Sequence, residues 1–345
     1  MNMSVSGTPE FTQLTHLDLN FKGEKGTQIP LACTSTLQHL VISQILVDHN
    51  WLAIDPNNIP SNIEFNSLKT LHLTYIDDDP SEFVQTPTAC PKWMSHTKVH
   101  FPKLAHFYTN NDSDEFPILA TCVFPRHIET LDIKAQTKLL RLLVLATWPQ
   151  TEHLKLTLLP SYTDMDASLF GCIRHLLKSA ETSKTAEVAI SNDSFVVEQE
   201  LFAGIRVTHL RLSPPVGFET MVSLVDNMPS LVNLCVYDFE SSTVPDKIVD
   251  CSDRLAPFSS KLQQLSINCL DEEYPPVRTI NAVVYMVKRL TQLKMVKVPI
   301  SVISVVGLLN KERSMDPHLN NVLFKFTDDG YLDTRTLDIF GNNKY

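Results

Sequence analysis

Apolar residues recur along the chain in short segments of the form L-x-x-L-x-L, in which other apolar residues often replace leucine. The fourth and sixth positions are apolar and the third is polar, which is the alternation of a β-strand with one buried face. Of the twenty-four fourth and sixth positions, only Thr109 is polar. The pattern predicts about twelve strands, whose segments begin at Leu14, Leu37, Leu68, Leu104, Ile128, Thr151, Thr185, Val207, Leu231, Leu262, Leu290 and Leu319.

Twelve segments in 345 residues average one per about 29 residues, which is the long end of the range for leucine-rich repeats. A strand followed by a covering helix and another strand gives parallel pairing. We therefore expect an α/β fold, a leucine-rich-repeat solenoid in one domain over residues 1–345, with a curved parallel sheet and helices and loops on its convex side. The linking segments with helical spacing are 137–147, 165–180, 217–227, 279–290 and 301–311.

Three longer steps between strands mark insertions at 74–103, 157–184 and 237–261. The first is rich in turn-forming residues and has little helical pattern, so it is predicted to be an irregular loop, whereas the second contains a helix. Such a loop is either a binding element or the product of drift, which surface loops tolerate at low energetic cost.

The segments LTHLDL, LKTLHL and VTHLRL resemble the irregular repeats of ribonuclease-inhibitor-like proteins, and most closely those of fungal F-box/leucine-rich-repeat proteins. The resemblance implies a repeat arc that collects the substrate of a ubiquitin ligase. No F-box is visible before Leu14, so ligase docking is carried over to no residue. The amide or thiol side chain expected three residues after the last strand leucine is also replaced by an apolar one in several repeats, as at Ile45 and Ile76.

Composition narrows the classes of partner. A net charge of −10 gives a field that repels phosphate backbones, which argues against nucleic acid as the partner. The first residues have no secretory signal and no apolar run reaches the ~20 residues that span a bilayer, so we expect a cytoplasmic or nuclear protein without membrane contact. The seven cysteines are odd in number and contain no C-x-x-C pair, which predicts reduced and mostly buried thiols.

Catalytic and metal sites find no support in the sequence. The chain contains none of the glycine-rich nucleotide loops, metalloprotease motifs or serine-hydrolase motifs, so we expect neither an enzyme nor a cofactor. Several of the twelve histidines fall in one outward-facing column, but only His16 and His39 lie in neighbouring repeats. Two histidines without a third ligand make a poor metal site, so we expect histidines that face solvent or a partner.

The remaining function is binding through the concave strand face. Its central column carries acids in the first five repeats and bases from the sixth, so an elongated partner would lay an acidic segment against Lys155, Arg211 and Lys294. The alternative is that scattered charges keep the sheet soluble. The candidate partner-binding residues are His16, Asp18, His39, His72, His106, Tyr108, Asp132, Lys134, His153, Lys155, His209, Arg211, Tyr237 and Lys294.

Three hypotheses therefore stay open at this point. The first is a protein-interaction module, monomeric by itself, that acts as the substrate-recognition arm of a ubiquitin-ligase receptor. The second is a regulatory or structural scaffold, for example of a GTPase-activating type, for which Arg126 is the one candidate on a rim loop. The third is a truncated gene product that lacks an F-box or N-terminal cap, because terminal repeats need polar caps.

Overall fold

The structure is a computed structural model in which residues 13–20, 28–45, 52–55, 57–75, 97–111, 122–136, 149–159, 171, 174, 175, 178, 183–191, 206–245, 257–258, 260–268, 277–299 and 321–327 are described. The chain divides into two compact units, unit 1 (Met1–Lys184) and unit 2 (Thr185–Tyr345). Both units consist mainly of parallel β-sheet, as the strand pattern predicts. The assignment of the whole chain to one domain stays a prediction.

Unit 1 has eleven strands among its described residues: β1 (His16–Asn20), β2 (Ile29–Pro30), β3 (His39–Ile45), β4 (Leu52–Ala53), β5 (Asn62–Glu64), β6 (Thr70–Tyr75), β7 (Lys98–His100), β8 (His106–Asn111), β9 (Cys122–Val123), β10 (His127–Gln136) and β11 (Gln150–Leu159). Its main sheet has the order β1-β3-β6-β8-β10-β11, and all pairs are parallel. The order in space is the order in sequence, so each strand pairs with the next predicted repeat.

The register of the main sheet aligns equivalent repeat positions. Leu17 pairs with Leu40, Leu40 with Leu71, and the fourth positions continue through Phe107 to Leu131 and Leu154. From Leu40 onward these side chains are buried, and Leu154 is 5% exposed as the alternation predicts. We call this the core face of the sheet, and we call the side with the third, fifth and seventh positions the open face.

The described residues of unit 1 also form two smaller parallel sheets. Strand β2 pairs with β4, and β5 pairs with β7, which pairs with β9. The prediction of an irregular loop over 74–103 is therefore wrong for its last part, because Lys98–His100 is a strand. Val99 of this strand is buried, so the β5-β7-β9 sheet contributes an apolar side chain to the core. Residues 76–96 lie outside the described residues.

Unit 2 contains β12 (Thr185–Ile190), β13 (His209–Gly217), β14 (Asn233–Glu240), β15 (Gln264–Ile267), β16 (Met295–Pro299) and β17 (Leu323–Thr327), paired in that order and all parallel. Leu210, which is 1% exposed, confirms the predicted burial of its position. The helices α1 (Phe218–Asn227) and α2 (Val277–Arg289) confirm two predicted helices. The segments 137–147 and 301–311 lie outside the described residues, while 171, 174, 175 and 178 are helical, within the helix predicted over 165–180.

Local chemistry explains where the two helices form. In α1, Phe218, Met221, Leu224 and Val225 are buried along one side, and Glu219 places a negative charge in the first turn. The Phe218 N–H donates to Thr243 Oγ1 at 2.8 Å, which satisfies one of the unpaired donors at the helix start. In α2, Lys288 and Arg289 lie in the last turn, where positive charge is favourable.

Two strand frames near the end of the chain differ from the prediction. Val296, not Leu293, pairs with Leu265, so the repeat reads Leu293-x-x-Val296-x-Val298. These three side chains are buried, while Met295, which was predicted to face the core, is half-exposed. In the last strand Phe324 pairs with Val296, which shifts that frame by two residues. The shift of the β16 frame exchanges the residues of the core face and the open face. The two-residue shift of the β17 frame leaves each residue on its predicted face.

Candidate functional site

The open face of unit 1 brings four of the predicted histidines into one row. Its third positions are, in strand order, His16, His39, Thr70, His106, Thr130 and His153. The rings of His16 and His39 stack with their centroids 4.4 Å apart and an angle of 20° between the planes. This stacking confirms that the two residues are neighbours.

The fifth positions form the central row of the same face: Asp18, Val41, His72, Tyr108, Asp132 and Lys155. The His72 and Tyr108 rings meet edge to face with 4.1 Å between their centroids. His72 Nε2 is also 3.1 Å from Thr74 Oγ1 in the seventh-position row, which includes Lys134 on β10. A half-buried aromatic pair thus lies in the middle of the face, with a carboxylate on either side along the row.

The charges of this row are paired differently from the prediction. Lys155 Nζ donates to Asp132 Oδ2 at 3.1 Å, and their side chains are 53% and 20% exposed. The sequence predicts that Lys155 contacts an acidic segment of the partner and places Asp132 among the candidate binding residues. Adjacent strands place the two charges within contact distance, where they neutralise each other, so Lys155 is not a separate positive charge. Its binding to an acidic partner stays a prediction.

Further ion pairs lie where the strands of this face begin. His106 Nε2 is 3.8 Å from Glu129 Oε2, and His127 Nε2 is 3.5 Å from Glu152 Oε1. Glu152 also accepts a hydrogen bond from Lys184, which is the main reason that its pKa is lowered. Because water and salt screen such exposed contacts, they orient side chains more than they stabilise the unit.

Two histidines of the open face have altered acidity. Burial lowers the pKa of His39, and the positive potential of His16 and Lys69 lowers it further. Burial also lowers the pKa of His72, although the carboxylates of Asp18 and Asp132 act in the opposite direction. Both rings therefore favour the neutral form, in which an imidazole offers one donor and one acceptor to a partner.

Metal ligation finds no geometric support within the described ranges. No group of three or more histidine, cysteine or acidic side chains there is placed to hold an ion. His16 and His39 stack face to face, which does not point two ring nitrogens at a common centre. The arrangement of this face suits hydrogen bonding and aromatic contact with another molecule.

The open face of unit 2 has a different central row: Ala189, Arg211, Cys235, Ser266, Lys297 and Lys325. Lys294 was predicted to belong to it, but the shifted frame places Lys294 before β16, and Lys297 occupies the row instead. The shift in the last strand replaces Leu323 by Lys325 in the same way. The sequence analysis did not predict either lysine in this row. The valines on both sides of Lys297 would have indicated the correct strand frame.

The other residues predicted for this face are placed as expected. His209 lies in the third-position row beside Glu187 and Asn233, with its Nδ1 3.0 Å from Thr208 Oγ1. Tyr237 lies two residues beyond Cys235 on the same side of β14 and is half-exposed. Burial raises the pKa of the Cys235 thiol, while a hydrogen bond with Tyr237 and the positive charges of Arg211 and Lys297 oppose that rise.

The cysteines that are described carry free thiols, at Cys33, Cys122 and Cys235. Cys33 is buried, whereas Cys122 and Cys235 are partly exposed. Burial raises the pKa of Cys33, so its thiol is protonated at neutral pH. The burial predicted for the thiols is met by Cys33 and only in part by Cys122 and Cys235, their reduced state stays a prediction, and the other four cysteines lie outside the described residues.

Comparison with known proteins adds no family. No protein-family model matches the chain, and no curated protein matches it either. In the described part of the chain, no helix has both the length and the apolar character that crossing a bilayer requires. The class of this protein therefore rests on its parallel repeat strands and their two polar open faces.

Proposed function

We propose that this chain is a leucine-rich-repeat solenoid that works without catalysis, as a protein-interaction module binding its partner through the open strand faces. The observation that carries the proposal is the strict division of the strands. Fourth and sixth positions form the core, whereas third and fifth positions present histidine, tyrosine and charged side chains to the outside. Such a surface supplies contact area and hydrogen-bonding groups, which is what recognition of a partner protein requires.

The aromatic pair in unit 1 is the proposed centre of contact. Tyrosine combines a large apolar ring with a polar end and loses little conformational entropy on binding, so it often dominates the energy of an interface. Tyr108 is held by His72 and lies between Asp18 and Asp132 in the central row. The face thus has an aromatic centre surrounded by polar groups, which is the usual anatomy of a protein-binding surface.

The resemblance to F-box/leucine-rich-repeat proteins extends the proposal to substrate recognition for a ubiquitin ligase. What supports this extension is the strand pattern, and no residue of this chain is assigned to ligase docking. The proposed scaffold of a GTPase-activating type would instead use the rim, where Arg126 is exposed at the end of the loop before β10. The aromatic centre favours the open face over the rim.

The test is capture of proteins from the native cell extract by the full chain and by two matched double variants. We expect His72→Ala with Tyr108→Ala to reduce the amount of captured partner by about fivefold or more, because truncation of a central tyrosine costs over ~1 kcal/mol. The control is Leu31→Ala with Val123→Ala, two exposed apolar residues outside the main sheet. Equal capture by both variants would remove the open face of unit 1 from the proposal.

A further inference from the structure

The central row of unit 2 concentrates positive charge in an acidic protein. Arg211, Lys297 and Lys325 lie on β13, β16 and β17, while the whole chain has a net charge of −10. Among the described residues, none of the three forms an ion pair with a carboxylate. Glu187, in the third-position row, is diagonal to Arg211, since Ala189 and not Glu187 pairs with it.

The two lysines are direct cross-strand neighbours. Lys297 pairs with Lys325 in the register of β16 and β17. Like charges placed opposite each other on adjacent strands are destabilising, so this pair costs stability when nothing binds to it. An anion bound between the two ammonium groups would remove that repulsion. The arrangement is thus unfavourable for the isolated fold and favourable for a complex with a negatively charged group.

Small side chains separate the cations along the row. Cys235 and Ser266 lie between Arg211 and Lys297, one on each of the two intervening strands. A chain that crosses the strands can therefore approach the sheet between the charges without meeting a bulky side chain in this row. Tyr237, one row further along β14, offers a half-exposed ring beside that path.

We infer that the open face of unit 2 binds an extended acidic peptide segment that runs across β13–β17, with its carboxylates on Arg211, Lys297 and Lys325. This inference rests on the proposed function and names the chemistry of the partner. A nucleic acid is a poorer fit, because duplex DNA carries one charge per ~1.7 Å and three separated cations neutralise few of them. The net negative charge of the chain also opposes a polyanion.

The strand spacing predicts the pattern of acids in such a peptide. Adjacent strands are ~4.8 Å apart, so Lys297 lies about 14 Å and Lys325 about 19 Å from Arg211 along the row. An extended peptide advances ~3.4 Å per residue, so the second and third acids fall roughly four and six residues after the first. Both separations are even, and all three carboxylates therefore point to the same side of the peptide.

The experiment measures binding of a labelled synthetic peptide with this acid spacing to the full chain, by fluorescence anisotropy. The comparison peptide has the same composition with the second acid moved by one position, which turns that carboxylate away. We expect the first peptide to bind several-fold more tightly, with an affinity that falls as salt shortens the screening length from ~10 Å towards ~3 Å. Equal affinity of the two peptides would overturn the spacing argument and the inference with it.

Matched variants separate the row from the general charge of unit 2. Lys297→Glu with Lys325→Glu should weaken peptide binding about tenfold, since two attractive pairs at partly exposed lysines become repulsive. Lys261→Glu with Lys294→Glu makes the same charge change at exposed lysines that precede β15 and β16, and should change binding less than twofold. Thermal unfolding of both variants controls for folding. Equal losses in the two variants would overturn the inference.

Further outcomes separate this inference from a general polyanion site and from the proposed function. A single-stranded oligonucleotide that binds as tightly as the peptide, and is lost in the same variant, would show a general polyanion site and overturn the peptide as partner. Absence of peptide binding would overturn the inference alone if the His72→Ala with Tyr108→Ala variant still captures less partner than its control. If capture is also unaffected by that variant, both proposals fail.

Discussion

Thr109 is the one polar residue at a predicted core position, and replacing it should stabilise unit 1. Its side chain is 0% exposed, and its hydroxyl has no hydrogen-bond partner. The register places it between Leu73 and Ile133, which are each 1% exposed. A buried hydroxyl without a partner costs ~1–3 kcal/mol, and valine has nearly the same shape without the hydroxyl. Thr109→Val should therefore raise the free energy of unfolding by about 1–3 kcal/mol.

Thr151 provides a control with the opposite expected sign. It is also buried in unit 1, but its Oγ1 is 3.0 Å from Ser183 Oγ, so the two hydroxyls satisfy each other. Thr151→Val leaves Ser183 without that partner and should lower the free energy of unfolding by about 1–3 kcal/mol. The same substitution thus separates an unpaired hydroxyl from a paired one.

Urea unfolding followed by circular dichroism measures both effects, provided that the slope with denaturant stays constant. Thermal melting should agree, with a shift of ~2–4 °C per kcal/mol for a unit of this size. A decrease in stability for Thr109→Val would show that the Thr109 hydroxyl has a hydrogen-bond partner. An increase in both variants would show that hydrogen bonding of the hydroxyl does not decide the sign of the effect.

Three other outcomes are expected. Leu154→Ala should lower the free energy of unfolding by ~2–5 kcal/mol in urea, whereas His153→Ala beside it should change it by less than ~0.5 kcal/mol, and similar losses would contradict the assignment of faces. The pKa of His39 is lowered in the folded state, so the unfolded chain binds a proton at this position at a higher pH than the folded chain does. The free energy of unfolding should therefore fall as the pH decreases below ~6.5. Urea unfolding at several pH values should show a smaller fall for His39→Gln. The guanidinium carbon of Arg289 lies 3.7 Å from the centre of the Phe258 ring. Arg289→Met should therefore lower the melting temperature by an amount that corresponds to ~0.5–2 kcal/mol. An unchanged melting temperature would exclude a role for this stacking.

The main strands of both units were predictable because each has enough residues to show alternation. The same rule could not choose the frame near Leu290, since Leu290, Leu293 and Met295 are apolar and spaced like a repeat. In the structure Leu290 directly follows α2, and the strand uses Val296 and Val298 for its core side. Helix and strand signals overlap there, and the β-branched valines, which favour strands, would have identified the frame.

Other features carry too short a signal or depend on neighbouring strands. The strands of the β5-β7-β9 sheet have two or three residues each. No alternation of apolar and polar residues can therefore be recognised in Lys98–His100 or Cys122–Val123. The sequence predicted which residues form the central row in unit 1, but it treated the charged residues of that row as separate from one another. Asp132 and Lys155 are adjacent in that row, and their pairing follows from the ~4.8 Å between neighbouring strands.

Within each main sheet the strands lie side by side in the order in which they follow along the chain. This order has a consequence for synthesis on the ribosome. Every strand of a sheet pairs with the strand that has just emerged, so no early segment has to wait for a distant one before it gains hydrogen bonds. Growth proceeds by addition at one edge, where the newest strand always presents unpaired backbone groups to the next. A pause in translation would then leave a shorter sheet with the same pairing.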